Sequence, residues 1–497
     1  MKNKFLTASE NMSPEYCCTV VRLGEIQEIP GAKTVAKTLV NGRTIVIGKN
    51  QKEGDVMIYV SNESELNRDF LSVNNMFQNV EFNANAIEVQ TWLEENKDIS
   101  EDEKKEYLQQ HRGYFDDKGR VRMKKLAGEV SMGILLSVDS LKSWCPMLDV
   151  DFDSLVGLDF DTLNGELMVK AYVPKVKQRP ERASKDGRRN KKLLKYDRLI
   201  PGQFAFHYDT NLFEKNVHRF KPENVVTITP KIHGTSYIIG NVLVNKPKWS
   251  GWYEKIFLYL PKILRFTKKD YDVIYSSRSV IKNSTINNGK VGYSAGLDAC
   301  FNKYYELLKD YIPQGITLYG EIFGYCEGSN SFIQTVGKGY DYRCNPGENK
   351  LMIYRVSVMH EDGVKRDMNV VDVKKFTEEL IEKINASGRE DIAKRLHPID
   401  IFYHGRLSDL YPDIQTDTHW HANLLERMKN DKTIFGMEMN EPMCRNAVPR
   451  EGIVLRIHDD PVNEAFKLKC LKFLGKEAQE IDKGIISDEE MIEKYSE

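Results

Sequence analysis

The chain has 497 residues, 41% of them hydrophobic, which exceeds what one compact domain needs for a single core and suffices for two or three. Its 72 basic and 73 acidic side chains nearly cancel. A global positive field drawing the protein to nucleic acid is therefore excluded, and any such surface has to be built locally.

The eight cysteines include the adjacent Cys17 and Cys18 but no CxxC, and none stands at zinc-ligand spacing with the histidines, which argues against a structural zinc site. The opening segment MKNKFLTASENMSPEYCC has no apolar run of signal-peptide length, and no other stretch approaches a membrane span. The expectation is a soluble, cytoplasmic protein with no membrane association, whose cysteines serve as small buried side chains.

Residues 1–173 read as one domain. YCCTVVRL, IPGAKTV, TLVNGRTIVIG and GDVMIYV alternate β-branched residues with Gly, Pro and Asn-Gly punctuation, the pattern of a small, strongly curved antiparallel sheet. GRVRMKKLAGEVSMGILLSV continues it at 119–138. The charged, apolar-poor stretch near 80–118 reads as a solvated helical insertion. About five strands with such an insertion predict an OB-fold-like β-barrel, with a barrel used only for packing as the alternative.

Residues 174–199 form a linker. From 175 onward it holds eleven Lys or Arg against three acidic residues, broken by Pro and Gly; it would grip a phosphate backbone or serve as a solvated hinge. From 200 to 475 strand-like runs (VVTITPKI, DVIYSSR, GITLYGEIFG, KLMIYRVSVM, EGIVLRIH, AFKLKCLKF) accompany two helical ones (DACFNKYYELLKDY, DVKKFTEELIEKINAS), an α+β pattern. An aromatic and basic segment at 246–270 interrupts it, suited either to lie on RNA or to cap the core. Residues 476–497 read as an acidic tail ending in an exposed helix.

KIHGTS at 231–236 places Lys231 at the end of a strand, with Gly234 allowing close backbone approach. In fixed order there follow SSRS (276–279), LYGEIFG (318–324), MIYRVSV (352–358), EGIVLR (451–456) and FKLK (466–469). This ordered set resembles the covalent nucleotidyltransferases, the superfamily of RNA ligases, DNA ligases and mRNA capping enzymes. His233, where DNA ligases and capping enzymes usually have Asp, is similar to the KxHG form of phage-type nick-sealing RNA ligases. IPGAK, GDVMIYV and GRVRMKKLAGEVSMG are similar to RNA ligases carrying an amino-terminal OB module. The resemblance implies a nucleotidyltransferase (ATP-grasp-like ligase) domain of antiparallel sheets and helices behind that module.

The resemblance further implies an ATP-dependent RNA ligase that joins 3′-hydroxyl and 5′-phosphate RNA ends, as in RNA repair, with ATP and Mg2+ or Mn2+ as cofactors and no protein partner. By motif match Lys231 is the nucleophile that takes AMP, with Lys467 and Lys469 easing its deprotonation and neutralising the α-phosphate. Period-2 spacing puts those two lysines on one strand face. Gly234 and Arg278 join the ATP site, Arg278 toward the ribose or the RNA end. Glu321 meets the ribose hydroxyls or a metal-bound water, and Glu451 orients the metal hydration shell. Pro230 has no N–H for an adenine contact, and the stacking aromatic stays unassigned, Tyr354 being one option. The alternatives are a GTP-dependent capping guanylyltransferase, a DNA ligase, and a non-catalytic RNA-binding protein with an OB module.

Overall fold

The computed structural model describes residues 4–83, 85–110, 113–173, 198–207, 210–278, 280–283, 297–359, 364–417, 419–458, 460 and 462–483. The chain divides into two compact units, Met1–Val173 and Pro174–Glu497. Nearly all of the basic linker, residues 174–197, lies outside the described residues, as do residues 484–497 of the acidic tail.

The first unit is built from short antiparallel strands. β1 (Cys18–Arg22), β2 (Ile26–Glu28), β3 (Val35–Val40), β4 (Arg43–Gly48), β5 (Val56–Ser61), β6 (Glu129–Ser131) and β7 (Gly133–Ser137) carry its main ladders. The β3–β4 hairpin turns on Asn41 and Gly42, both at positive φ, the two-residue turn whose twist matches the strands it joins. β5 lies between β1 and β7, while β2, β3 and β4 form a meander. The amide of Met132 donates to the Thr44 carbonyl at 3.0 Å, and the Val46 amide donates to Ser131 Oγ at 3.1 Å, so β4 meets the β6–β7 segment through single bonds. The ladders fall into separate small sheets, and among the described residues none runs closed into a barrel.

Cys18, Val20, Ile58, Val60 and Leu136 pack with Phe70, Phe77 and Phe160 in the core of this unit. The charged insertion folds as α1 (Ile87–Glu95) and α2 (Glu101–Gln110). α2 is exposed along most of its length, as expected for ten residues with so few apolar positions.

The second unit holds two sheets. β8 (Val225–Lys231), β13 (Tyr403–Arg406), β14 (Gly452–Ile457) and β15 (Phe466–Lys469), with a short strand at Asn211–Leu212, make a five-stranded sheet in which β8 lies between β13 and β14. β9 (Thr235–Pro247), β10 (Thr267–Ser276), β11 (Ile316–Gly324) and β12 (Asn349–Met359) form most of a six-stranded sheet in the order β10-β9-β11-β12. Ile228, Leu455 and Phe466 from the first sheet share one core with Tyr237, Leu318 and Ile353 from the second.

The helices α3 (Leu297–Leu308), α4 (Val370–Ala386), α5 (Trp420–Asn430) and α6 (Leu471–Asp482) complete the unit. α4 buries Val370, Val373, Thr377, Leu380 and Ile384, the spacing of one helical face. Its cap residue Asn369 accepts the Asp372 amide at 2.9 Å, a contact whose loss costs about 1 kcal/mol. The fold does not end at residue 475, because α6 runs to Asp482 and buries Phe473, Leu474, Ala478 and Ile481. The segment 246–270 begins and ends in the β9–β10 ladder, with Lys246 opposite Lys268 and Pro247 opposite Thr267. All eight cysteines are free. No helix among the described residues is long and apolar enough to cross a membrane.

Candidate active site

The chemistry-bearing residues gather where the chain passes from one sheet to the other. Lys231 ends β8 in the five-stranded sheet and Thr235 begins β9 in the six-stranded sheet, so Ile232, His233 and Gly234 are the crossover. Pro230 fits the strand for a simple reason. β13 pairs with β8 only from Val225 to Ile228, so Pro230 sits where β8 has lost that neighbour and faces β14 alone, a place where a residue without N–H is tolerated.

Lys231 pairs with Gly452, and Gly452 pairs with Lys469, which sets two lysines in one row across three strands with no side chain between them. Gly452 has φ +152°, and a Cβ there would stand 2.1 Å from the Leu468 carbonyl oxygen, so only glycine fits. Lys467 lies two residues along β15, opposite Val454, on the same strand face as Lys469. Lys469 Nζ is 3.6 Å from Glu477 Oε2 and 5.4 Å from the centre of the Phe473 ring.

Glu451 precedes this row and reaches into it. Its Oε1 lies 2.6 Å from Lys231 Nζ, and its Oε2 lies 3.5 Å from His233 Nδ1. Burial pushes the Glu451 carboxyl up, but Lys231, His233 and Lys469 together outweigh it and hold the group well below the usual carboxylate range. The His233 ring is gripped edge-on by Tyr340 at 4.9 Å and Phe473 at 5.0 Å. His233 Nε2 is buried and makes no hydrogen bond among the described residues, so the cluster keeps polar capacity for a ligand.

The crossover backbone is held from both sides. The Gly234 amide donates to Glu321 Oε1 on β11 at 3.2 Å, and a Cβ at Gly234 would stand 2.3 Å from the Ile322 carbonyl oxygen. The Gly234 carbonyl accepts from Gln334 Nε2 at 2.7 Å, and the His233 amide donates to the Tyr342 hydroxyl at 2.8 Å. Burial pushes the Tyr340 and Tyr342 phenols far above their ordinary range, so both hydroxyls keep their protons and act as hydrogen-bonding groups. Tyr340 OH donates to the Pro449 carbonyl at 2.6 Å, two residues before Glu451.

Lys231, Glu451 and Lys469 are thus brought together, and Gly234 meets Glu321. Arg278 stands elsewhere, half-buried, two residues past the end of β10 in the other sheet. Tyr354, on β12, is half-buried and meets His207 edge-on at 5.6 Å. Sequence reasoning did not find Gln334, Tyr340 or Tyr342. They sit in the irregular connection between β11 and β12, where no periodicity marks a residue, and the alternating aromatics of GYDYRC are the only local signal.

Among the described residues no three His, Cys, Asp or Glu side chains form a metal cage. A hydrated Mg2+ or Mn2+ bound by one or two carboxylates and by phosphate oxygens needs none, and Glu451, a buried carboxylate beside Lys231, suits that role.

No family model and no curated protein sequence matches this chain. Among solved structures, a mutant of Naegleria gruberi RNA ligase in its apo form matches with a TM-score of 0.50 and 16% identity, covering 94% of this chain and 100% of that one. A mutant of the same enzyme with AMP and Mn gives 0.49 and 16%, over 92% and 98% of the two chains. The enzyme with PPi gives 0.49 and 14%, over 93% and 98%. At such identity the likeness is one of fold: this chain has the mixed α+β architecture of the apo RNA ligase along nearly its whole length.

Proposed function

We propose that this protein is an ATP-dependent RNA ligase that forms a covalent lysyl-AMP on Lys231, passes AMP to an RNA 5′-phosphate and seals it to a 3′-hydroxyl. The observation that carries the reading is the contact of Lys231 with the buried Glu451, in a row with Lys469 and beside the unsatisfied Nε2 of His233. RNA as substrate draws support from the ligase fold that the chain shares.

Glu451 holds the Lys231 side chain at the strand end through its 2.6 Å contact. A divalent metal would supply charge neutralisation at the α-phosphate and would compete for Glu451. Lys231, whose side chain is partly exposed, would give up its proton to solvent; its amine attacks the α-phosphorus, the P–N bond forms, and the bond to pyrophosphate breaks with the electron pair leaving on pyrophosphate. Lys467 and Lys469 offset the negative charge that builds on the phosphate. Glu321 keeps the Gly234 backbone in place and presents its carboxylate toward the ribose, and Arg278 meets the ribose or the RNA end.

The amino-terminal unit is read as an OB-type module that binds the RNA. Its support is a set of short antiparallel ladders, β2-β3-β4 and β7-β5-β1, with single bonds from β4 to the β6–β7 segment. Denaturing electrophoresis after incubation with α-labelled ATP or GTP tests the central claim. The expected result is acid-stable labelling by ATP with a divalent metal, abolished by Lys231→Ala. Preferential labelling by GTP would point to capping chemistry, and sealing of all-DNA nicks at the rate of RNA nicks would point to a DNA ligase.

A further inference from the structure

The hairpin of β9 and β10 ends in a crown that the site does not use. Between Lys248 and Phe266 the chain folds into three short helical turns, the first at Trp252–Ile256. Tyr253 and Phe257 are buried against Leu260 as a small core of their own. The Tyr253 hydroxyl donates to the Leu264 carbonyl at 2.8 Å and accepts the Phe266 amide at 2.7 Å, so the crown has a fixed shape.

What that shape presents outward is apolar. Trp252 is 73% exposed, Ile263 83% and Tyr259 63%. Trp249, Ile256, Leu264 and Phe266 are also exposed, and all four help line an open cavity of about 540 Å³ beside Trp252. Trp249, Trp252, Ile256, Leu264 and Phe266 line that one cavity together, and large exposed side chains grouped in this way mark a surface meant for contact.

Lys246, Lys248, Lys268 and Lys269 stand at the neck of this hairpin. The sequence of 246–270 holds seven Lys or Arg against two acidic residues. Lys246 and Lys268 are paired with Asp270 at 3.8 and 3.3 Å, while Lys248 and Lys269 are exposed at the hairpin neck, Lys248 lying 5.3 Å from the centre of the Trp249 ring. Tryptophan, tyrosine and aliphatic side chains at a tip with lysine behind them match the layering of a bilayer interface. Acyl chains meet the apolar tip, the headgroup zone meets the aromatic rings, and anionic phosphates meet the lysines. An RNA strand would use flat rings for stacking, and Ile256, Ile263 and Leu264 offer it neither a ring nor a hydrogen bond.

We infer that the crown at 248–266 docks the protein on an anionic membrane surface, inserting Trp252 and Ile263 shallowly while the rest of the chain stays in water. This lies outside the sealing chemistry and does not depend on it. It also replaces the expectation of no membrane association, since lying on a bilayer requires no spanning helix.

The test is co-sedimentation of the full chain with vesicles of phosphatidylcholine alone or mixed with phosphatidylserine, across a salt series. Binding is expected to the anionic vesicles only and to weaken as salt rises. The double substitution Trp252→Ser with Ile263→Ser should cut the bound fraction by about tenfold or more, with circular dichroism and the melting curve unchanged. Brominated lipid should quench tryptophan fluorescence in the parent and much less in the variant. Absence of sedimentation with anionic vesicles would overturn the proposal, as would undiminished binding by the folded variant. Loss of RNA binding by a variant whose parent ignores vesicles would assign the crown to RNA instead.

Discussion

Glu451 is a buried carboxylate whose ionised form is kept by Lys231, His233 and Lys469 against the pull of burial. Its folded pKa is depressed, so the stability it contributes is fully present above the unfolded value near pH 4.3. That contribution is lost as pH falls through the lower folded value. Glu451→Gln should therefore destabilise the second unit by about 1–3 kcal/mol at neutral pH, less than a fully buried pair would lose because Lys231 is partly exposed. Urea midpoints of both proteins should differ by a constant amount from pH 5 to 8 and converge in stronger acid; a gap that widens toward acid would refute the pairing. Gly234→Ala acts differently, because its Cβ would meet the Ile322 carbonyl oxygen, a backbone atom that cannot step aside. An expected loss of about 1–3 kcal/mol should come with a drop in nucleotide labelling, since the crossover that aims Lys231 must shift. Unchanged labelling in a folded Gly234→Ala protein would mean that the turn does not set the lysine.

The connection between β11 and β12 acts as a clamp on that crossover, through Gln334 and Tyr342. Tyr342→Phe would leave the buried His233 N–H unpaired at a cost of about 1–3 kcal/mol, and single-turnover labelling should slow more than ATP affinity falls. Equal slowing and weakening would mean that the hydroxyl serves general stability rather than the position of Lys231. Beyond the alternating aromatics of GYDYRC, nothing in the local sequence announces this clamp, because a long irregular connection carries no period to read. The strands with β-branched runs were legible: VVTITPKI is β8, GITLYGEIFG is β11 and KLMIYRVSVM is β12, each within a residue or two. β9 was not, although it is the longest strand, because Gly240-Asn241 in its middle imitates a turn and its buried start, TSYIIG, has no polar alternation. Missing β9 also hid the ladder at both ends of residues 246–270. AFKLKCLKF hid a second boundary, since the strand stops at Lys469 and α6 begins at Leu471. The order of short motifs was legible because each lies in a strand or just beside one; the contact of Glu451 with Lys231 across two strands was not, because register is invisible in a single sequence.

At the scale of the whole molecule, Lys231, His233, Glu451 and Lys469 all belong to the second unit, and that unit has its own two-sheet core. A protein beginning near residue 198 should accordingly fold and form lysyl-AMP at close to the rate of the full chain. Sealing is another matter, because it needs the RNA end to be held in line with the adenylated site, and misplacement by about an ångström is enough to slow such transfers by about a hundredfold. If the amino-terminal unit and the basic segment 174–199 supply that grip, the shortened protein should need far more RNA to reach half-maximal sealing. Affinity built on phosphate neutralisation falls steeply with salt, so the full chain should lose sealing as salt rises while the fragment, weak from the start, changes little. Measuring lysyl-AMP formation and sealing of a pre-adenylated nicked RNA on both proteins separates the two contributions. A fragment that seals as well as the full chain across the salt series would place the whole RNA site on the second unit and leave the amino-terminal strands without a part in substrate binding.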